Sequence, residues 1–85
     1  MNWRIYVRSK ASKQLKRLPI EYIARIERTI DEMAVNPFGG DVEKMEGKAE
    51  IWRRRIGAYR IKYEIFFPER IVNIFEIKRR TSNTY

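Results

Sequence analysis

The chain has 85 residues, the length of one small domain. Nineteen Lys and Arg against eleven Asp and Glu give a net charge of +8, and the 44% apolar share is too high for a disordered basic tail. Cysteine and histidine are absent, which excludes disulfides, thiol nucleophiles, Ser-His-Asp triads and thiolate or imidazole metal sites. No apolar run approaches the roughly 18 residues of a membrane span, and the charged N-terminus does not fit a signal peptide. We therefore expect one basic, soluble, cytoplasmic domain over residues 1–85.

The first part of the chain predicts one strand followed by two helices. Residues 3–7 alternate between two faces, which is the period of a half-buried strand. Apolar residues then recur at spacings of three and four over residues 10–17, and again after Pro19, which predicts two amphipathic helices. Ser9 is expected to cap the first helix, Pro19 to open the second and Asn36-Pro37 to end it.

The second part of the chain predicts a loop and three strands. Residues 38–48 contain three glycines and are expected to form the loop. Strands follow over residues 51–56, 59–67 and 71–77, joined by connections short enough for hairpins, so they should be antiparallel neighbours. The order β-α-α-β-β-β predicts an α+β domain with two N-terminal helices packed on one face of a small antiparallel sheet. The other face should be open to solvent or to a partner.

Basic residues are most concentrated on the first predicted hairpin of this sheet. Strand alternation sends Arg60 to the face opposite the core and places Arg53 and Arg55 of the preceding strand beside it. Arg79 is expected to reach the same surface from the last strand. A solvated face is the simpler alternative, but like charges on neighbouring strands repel. Such a face therefore favours a polyanion partner, because the guanidinium group binds phosphate through two parallel hydrogen bonds.

The ordered motifs of the chain resemble those of the RelE/ParE superfamily of type II toxin–antitoxin toxins. The resemblance spans essentially the whole chain and implies the microbial-ribonuclease-like RelE fold. Its motifs are Tyr6-Val7, Ala11–Leu15–Leu18-Pro19, Asn36-Pro37, Lys44-Met45-Glu46-Gly47, Trp52-Arg53–Arg55–Gly57–Tyr59-Arg60–Tyr63, and Lys78-Arg79-Arg80 with Tyr85.

The RelE branch, which the basic residues favour, implies a toxin that cleaves mRNA in the ribosomal A site. Such a toxin needs no metal or small-molecule cofactor, binds the ribosome and is neutralised by a cognate antitoxin. The catalytic residues implied by matching motifs are Arg53, Arg55, Arg60, Arg79 and Tyr85. Further RNA contacts are expected from Lys48, Arg54, Lys62 and Arg80.

The expected reaction is attack of the RNA 2′-hydroxyl on the adjacent phosphorus. Arg60 and Arg55 are expected to stabilise charge on the phosphoryl oxygens, and Arg53 and Arg79 to position the backbone. Arginine stays protonated and is a poor general base. Proton transfer is therefore left to a tyrosine, a lysine or a carboxylate, namely Tyr85, Lys62, Lys48, Glu43, Glu46 or Glu64.

Two alternatives remain open at the level of sequence. A toxin of the ParE branch would inhibit DNA gyrase without nuclease activity, and a third possibility is an inactive relative that only binds nucleic acid. Cleavage of mRNA distinguishes the first hypothesis from both alternatives, and inhibition of gyrase distinguishes the second from the third.

Overall fold

The computed structural model describes residues 2–47 and 49–80, which form two helices and one five-stranded sheet. The strands lie in the order β1-β5-β4-β3-β2. The helices pack on one face of the sheet, which confirms the predicted α+β architecture. The elements in chain order are β1 (Arg4–Val7), α1 (Ser9–Lys16), α2 (Ile20–Val35), β2 (Val42–Lys44), β3 (Ile51–Ile56), β4 (Tyr59–Phe66) and β5 (Ile71–Arg79).

The sheet differs from the predicted one at both of its edges. β1 pairs with β5 in parallel, with Arg4 beside Ile71, so the sheet is mixed rather than purely antiparallel. At the other edge, β2 lies within the segment predicted as a loop and pairs with β3. Three residues are too few to show strand alternation, which explains why the sequence pattern does not indicate β2.

The helix boundaries follow the prediction to within a residue. Arg8, not Ser9, is the N-cap of α1, and it makes no side-chain capping bond, so the predicted role of Ser9 is wrong. Pro19 is the N-cap of α2, one residue before the helix, and its carbonyl accepts a hydrogen bond from the amide of Tyr22 at 2.9 Å. Asn36 ends α2 with extended backbone, as expected for a residue that precedes proline.

The core lies between the helices and the central strands. Ala11 of α1 and Ile26 and Met33 of α2 are fully buried. The core-facing side chains of the strands are those with alternating burial, namely Ile56, Tyr59, Ile61, Tyr63, Ile65, Val72, Ile74 and Ile77. The opposite face of the sheet has no helix over it in the described part of the chain. No helix among the described residues is long and apolar enough to cross a membrane.

One buried hydrogen bond ties β4 to the segment that follows α2. The Tyr63 hydroxyl donates to the carbonyl of Pro37 at 2.7 Å, and both residues are buried. Burial raises the pKa of Tyr63 to about 12, because the ionised phenolate is poorly solvated there, an effect that the charge of Arg54 only partly offsets.

A β-bulge interrupts the pairing of β4 with β5. Lys62 pairs with Glu76, but the next residue, Tyr63, pairs with Ile74, so Phe75 is an extra residue in β5. An extra residue reverses the alternation of side chains on the bulged strand. The bulge therefore decides which side chains of the C-terminal part of β5 reach the open face.

Candidate nucleic-acid interface

Three cations stand side by side on the open face of the sheet. Arg60 of β4 pairs with Arg55 of β3 on one side and with Lys78 of β5 on the other. Directly opposed residues project to the same face, with Cβ atoms about 5 Å apart. We call Arg55, Arg60 and Lys78 the basic row. The prediction that Arg53, Arg55 and Arg60 share the face opposite the core is confirmed by this register.

The basic row keeps most of its positive charge. Within residues 2–47 and 49–80, no carboxylate lies within 4.0 Å of a side-chain nitrogen of Arg60 or Lys78. Arg55 makes one long contact, 3.7 Å from its Nη1 to Oδ2 of Asp41, and both side chains are well exposed. An exposed ion pair of this length neutralises little, so the row attracts anions.

The neighbouring row of the same face is electrically balanced. Arg53 pairs with Lys62 across β3 and β4, and each cation has its own carboxylate. Nη2 of Arg53 lies 2.9 Å from Oε1 of Glu43, and Nζ of Lys62 lies 3.4 Å from Oε2 of Glu76. The hydrogen bond and the charge of Arg53 lower the pKa of Glu43 below its ordinary value. Bound phosphate would have to compete with these carboxylates, so the basic row is the better anion site.

Arg79 does not lie where the sequence predicted it. It pairs with Tyr59, whose side chain is buried on the helix side of the sheet, so the prediction that Arg79 joins the surface of Arg60 is wrong. Alternation counted from Val72 and Ile74 would turn Arg79 to the open face, but the bulge reverses it. Lys78 instead lies beside Arg60 on the open face, and the sequence pattern did not indicate it as a site residue.

The other predicted RNA-contact residues are spread over the structure. Arg54 lies on the helix side, where its Nη2 is 3.2 Å from Oε1 of Glu32 and its side chain is 13% exposed. Arg80 closes the turn between β3 and β4, because its backbone amide donates to Ala58 and its Nη1 to the carbonyl of Gly57 at 3.1 Å. The predicted site residues Lys48 and Tyr85 lie outside the described residues.

Comparisons with known proteins agree on one fold. A family model described as the ParE toxin of the type II toxin–antitoxin system parDE matches residues 5–84. A candidate toxin of Methanocaldococcus jannaschii, RelE1, is 29% identical over 83 residues, which cover 94% of this chain and 92% of that protein. The archaeal RelE–RelB complex from Pyrococcus horikoshii contains a chain with a TM-score of 0.88 at 26% identity, covering 98% of this chain and 100% of that one. Isolated Escherichia coli RelE matches in fold, with a TM-score of 0.81 at 13% identity over 95% of this chain and 87% of that one.

Proposed function

The chain belongs to the ParE toxin family of type II toxin–antitoxin systems, and we propose that it blocks translation as a ribosome-dependent endoribonuclease that cleaves mRNA in the ribosomal A site. The observation that carries the proposal is the basic row, in which two of three adjacent cations have no carboxylate partner among the described residues. Phosphoryl-transfer sites typically hold the reacting phosphate with Arg and Lys side chains, so the basic row favours a nuclease over a gyrase-binding surface. The RelE names of the archaeal relatives also favour this branch.

The proposed reaction breaks the bond between phosphorus and the 5′-oxygen of the following nucleotide. The 2′-oxygen attacks the adjacent phosphorus and loses its proton to a base, and the departing 5′-oxygen gains a proton from an acid. The products are a 2′,3′-cyclic phosphate and a 5′-hydroxyl. Arg60 and Arg55 stabilise the charge that develops on the phosphoryl oxygens. Arg53 positions the backbone, and Lys78 takes the positioning role that the sequence assigned to Arg79.

Proton transfer is the part of the reaction that the two arginines of the basic row do not supply. The arginine side chain has five N–H donors and no acceptor, so it is a poor general base. Glu43 lies on the same face, but the lowered pKa of its carboxyl makes it a weak base. We propose Tyr85 as the acid or base, and we propose that the ribosome orients the substrate, which lowers the barrier without a metal ion.

We further propose a cognate antitoxin as the protein partner. The net charge of +8 fits an acidic partner, and the P. horikoshii relative was solved as a complex of RelE with RelB. Expression of the protein alone should arrest growth, and co-expression with a small acidic protein encoded beside it should restore growth. Normal growth without that partner would contradict the proposal.

The matched family description names parDE, and this favours a toxin that inhibits DNA gyrase as the second candidate. Two assays on the purified protein decide between them: a translation reaction with cleavage sites mapped on the mRNA, and a gyrase supercoiling reaction. We expect mRNA cut within codons at the A site only when ribosomes are present, and normal supercoiling. Inhibited supercoiling with intact mRNA would establish the second candidate, and no effect in either assay would indicate a protein that only binds nucleic acid.

A further inference from the structure

A second concentration of arginines lies outside the basic row. A cleft of about 250 Å³ separates α2 from the end of β3 and from the turn that follows it. Four of the residues that line it are arginines and one is a glutamate. We call it the arginine cleft, and its charged members are Arg25, Arg28, Glu32, Arg54 and Arg55.

Two arginines of the cleft are already held in place. Nη2 of Arg54 lies 3.2 Å from Oε1 of Glu32, and its guanidinium group lies against the backbone of Gly40. A Cβ atom at Gly40 would approach that group to 2.6 Å, and its φ of +81° favours glycine, so the chain leaves room there for Arg54. Arg25 lies over the ring of Tyr22, with 5.4 Å from its Cζ to the ring centroid. Cations fixed in this way lose little freedom when an anion binds.

The charge of the cleft is only partly compensated. Glu32 is its one carboxylate among the described residues, and that group is 3.2 Å from Arg54. Within residues 2–47 and 49–80, Arg25 and Arg28 have no carboxylate oxygen within 4.0 Å of their side-chain nitrogens. Both arginines lie on the face of α2 that borders the cleft. An anion can therefore reach two guanidinium groups that have no carboxylate within 4.0 Å in the described structure.

Arg55 connects the cleft with the basic row. It pairs with Arg60 on the open face of the sheet, and it is also among the residues that border the cleft. Its backbone amide donates to the carbonyl of Asp41 at 3.0 Å, which fixes this end of β3. Arg55 therefore lies next to both surfaces, and an extended chain bound on the basic row can continue past this end of β3 toward the cleft.

We propose that the arginine cleft binds a second backbone phosphate of the RNA whose scissile phosphate lies on the basic row. This inference rests on the proposed function and adds a site away from the reaction. Guanidinium groups match a phosphate through paired hydrogen bonds. A docked peptide would need apolar anchors in a pocket, and the one large apolar side chain that lines the cleft in the described structure, Ile56, is 7% exposed and belongs to the core.

The test compares two variants with the same loss of charge. Arg25→Gln/Arg28→Gln removes the two unpaired cations of the cleft, and Lys10→Gln/Lys13→Gln removes two cations from α1. The probe is a short single-stranded oligouridine with 2′-O-methyl riboses, which the proposed reaction cannot cleave. Its dissociation constant is measured by fluorescence anisotropy over a series of salt concentrations, with thermal melts by circular dichroism as the folding control.

We expect the cleft variant to bind the probe about tenfold more weakly at low salt. Each phosphate neutralised on a single strand contributes about 0.7 to the slope of log K against log salt, so loss of the one phosphate held in the cleft should lower the slope by about 0.7. The α1 variant should keep the parental slope. If the double variant melts early, Arg28→Gln alone should lower the slope in the same direction, by up to about 0.7.

Equal losses in the cleft and α1 variants would overturn the inference, because they would show a dependence on net charge alone. An unchanged RNA affinity with weakened antitoxin binding would also overturn it and assign the cleft to a protein partner. Failure of the proposed function gives a different result, because the unsubstituted protein would then leave mRNA intact on ribosomes while the probe comparison still decides the cleft.

Discussion

Arg60 occupies the centre of the basic row, with a cation on each side and no acid within ion-pair distance in the described structure. A guanidinium group there can hold both non-bridging oxygens of one phosphate, and its charge matters most as the transition state forms. We expect Arg60→Ala to lower mRNA cleavage by about 100- to 1,000-fold and to relieve growth arrest. Single-turnover cleavage on programmed ribosomes measures this loss.

Arg60→Lys provides the graded control for the same position. Lysine keeps the positive charge but lacks the planar guanidinium group that donates two parallel hydrogen bonds, so cleavage should recover only in part. Circular dichroism should show that both variants remain folded, because the Arg60 side chain lies outside the core. A folded Arg60→Ala protein that cleaves at the parental rate would remove Arg60 from the mechanism.

Lys78 and Arg79 form a matched pair of adjacent cations on opposite faces of β5. Only Lys78 lies across from Arg60, because Arg79 pairs with buried Tyr59. We expect Lys78→Ala to reduce cleavage by about tenfold or more and Arg79→Ala to reduce it much less, although the two substitutions change the net charge equally. A larger loss of cleavage in Arg79→Ala than in Lys78→Ala would support the role that the sequence predicted for Arg79. It would also show that the bulge does not decide which cation of β5 belongs to the site.

Alternation was enough to predict the arginines of β3 and β4. Both strands are regular, so Arg53, Arg55 and Arg60 reach one face simply because they lie an even number of positions from one another or pair directly. The same rule fails in β5 because Phe75 is an extra residue. The spacing of three between Ile74 and Ile77, both of them core residues, breaks the period of two and is the sequence signal of the interruption.

The elements are held together by a core in which α2 contributes two fully buried side chains. Ile26 is fully buried against the sheet, whereas Ile20, on the first turn of the same helix, is 81% exposed. We expect Ile26→Ala to lower the free energy of unfolding by about 2 to 5 kcal/mol, because it leaves a cavity. Ile20→Ala should change it by less than about 0.5 kcal/mol. Urea unfolding of both variants checks the contrast, and similar losses would show that Ile26 is not packed as described.

The buried hydroxyl of Tyr63, which donates a hydrogen bond to Pro37, should make the stability of the fold decrease at alkaline pH. Unfolded tyrosine ionises near pH 10, but burial raises the pKa of Tyr63 to about 12, so the folded form holds its proton longer. The resulting stability is fully present below pH 10 and is lost as the pH rises from 10 to 12, at about 1.4 kcal/mol per pH unit.

Tyr63→Phe tests this dependence. The variant removes the hydroxyl donor to Pro37, so at neutral pH the protein should lose about 1 to 3 kcal/mol of stability. Above pH 10 its stability should fall less steeply than that of the parent, and urea unfolding at several pH values measures both slopes. Parallel slopes for the two proteins would show that Tyr63 does not titrate as a buried phenol.

Short and irregular elements are the part of the fold that sequence patterns do not predict. β2 has three residues, of which Glu43 and Lys44 are exposed, so neither periodicity nor apolar content distinguishes it from a loop. β2 is identified as a strand only by its pairing with β3, in which Glu43 lies opposite Arg53. The longer elements, with regular spacing of apolar residues, fall within a few residues of their predicted bounds.

At the scale of the whole molecule, the net charge of +8 is not spread evenly. Five ion pairs each compensate one cation in the described structure, while the basic row and the arginine cleft keep an excess of positive charge. We expect binding to ribosomes to weaken by about tenfold or more between low and physiological salt, because several phosphate contacts release counterions. Sedimentation with ribosomes at increasing potassium chloride measures this, and a flat response would show that these surfaces are only solvated.

The parallel pairing of β1 with β5 has a consequence for how the protein becomes active during its own synthesis. β1 is made first, yet its only strand partner in the described structure is made last, and Gln14 of α1 accepts a hydrogen bond from the amide of Ile77 at 2.9 Å. These long-range contacts cannot form until β5 has left the ribosomal exit tunnel. Lys78 also belongs to β5, so a nascent chain lacks one cation of the basic row. A nascent chain whose β5 is still inside the tunnel would therefore lack both the parallel pairing that completes the sheet and one of the three cations of the basic row.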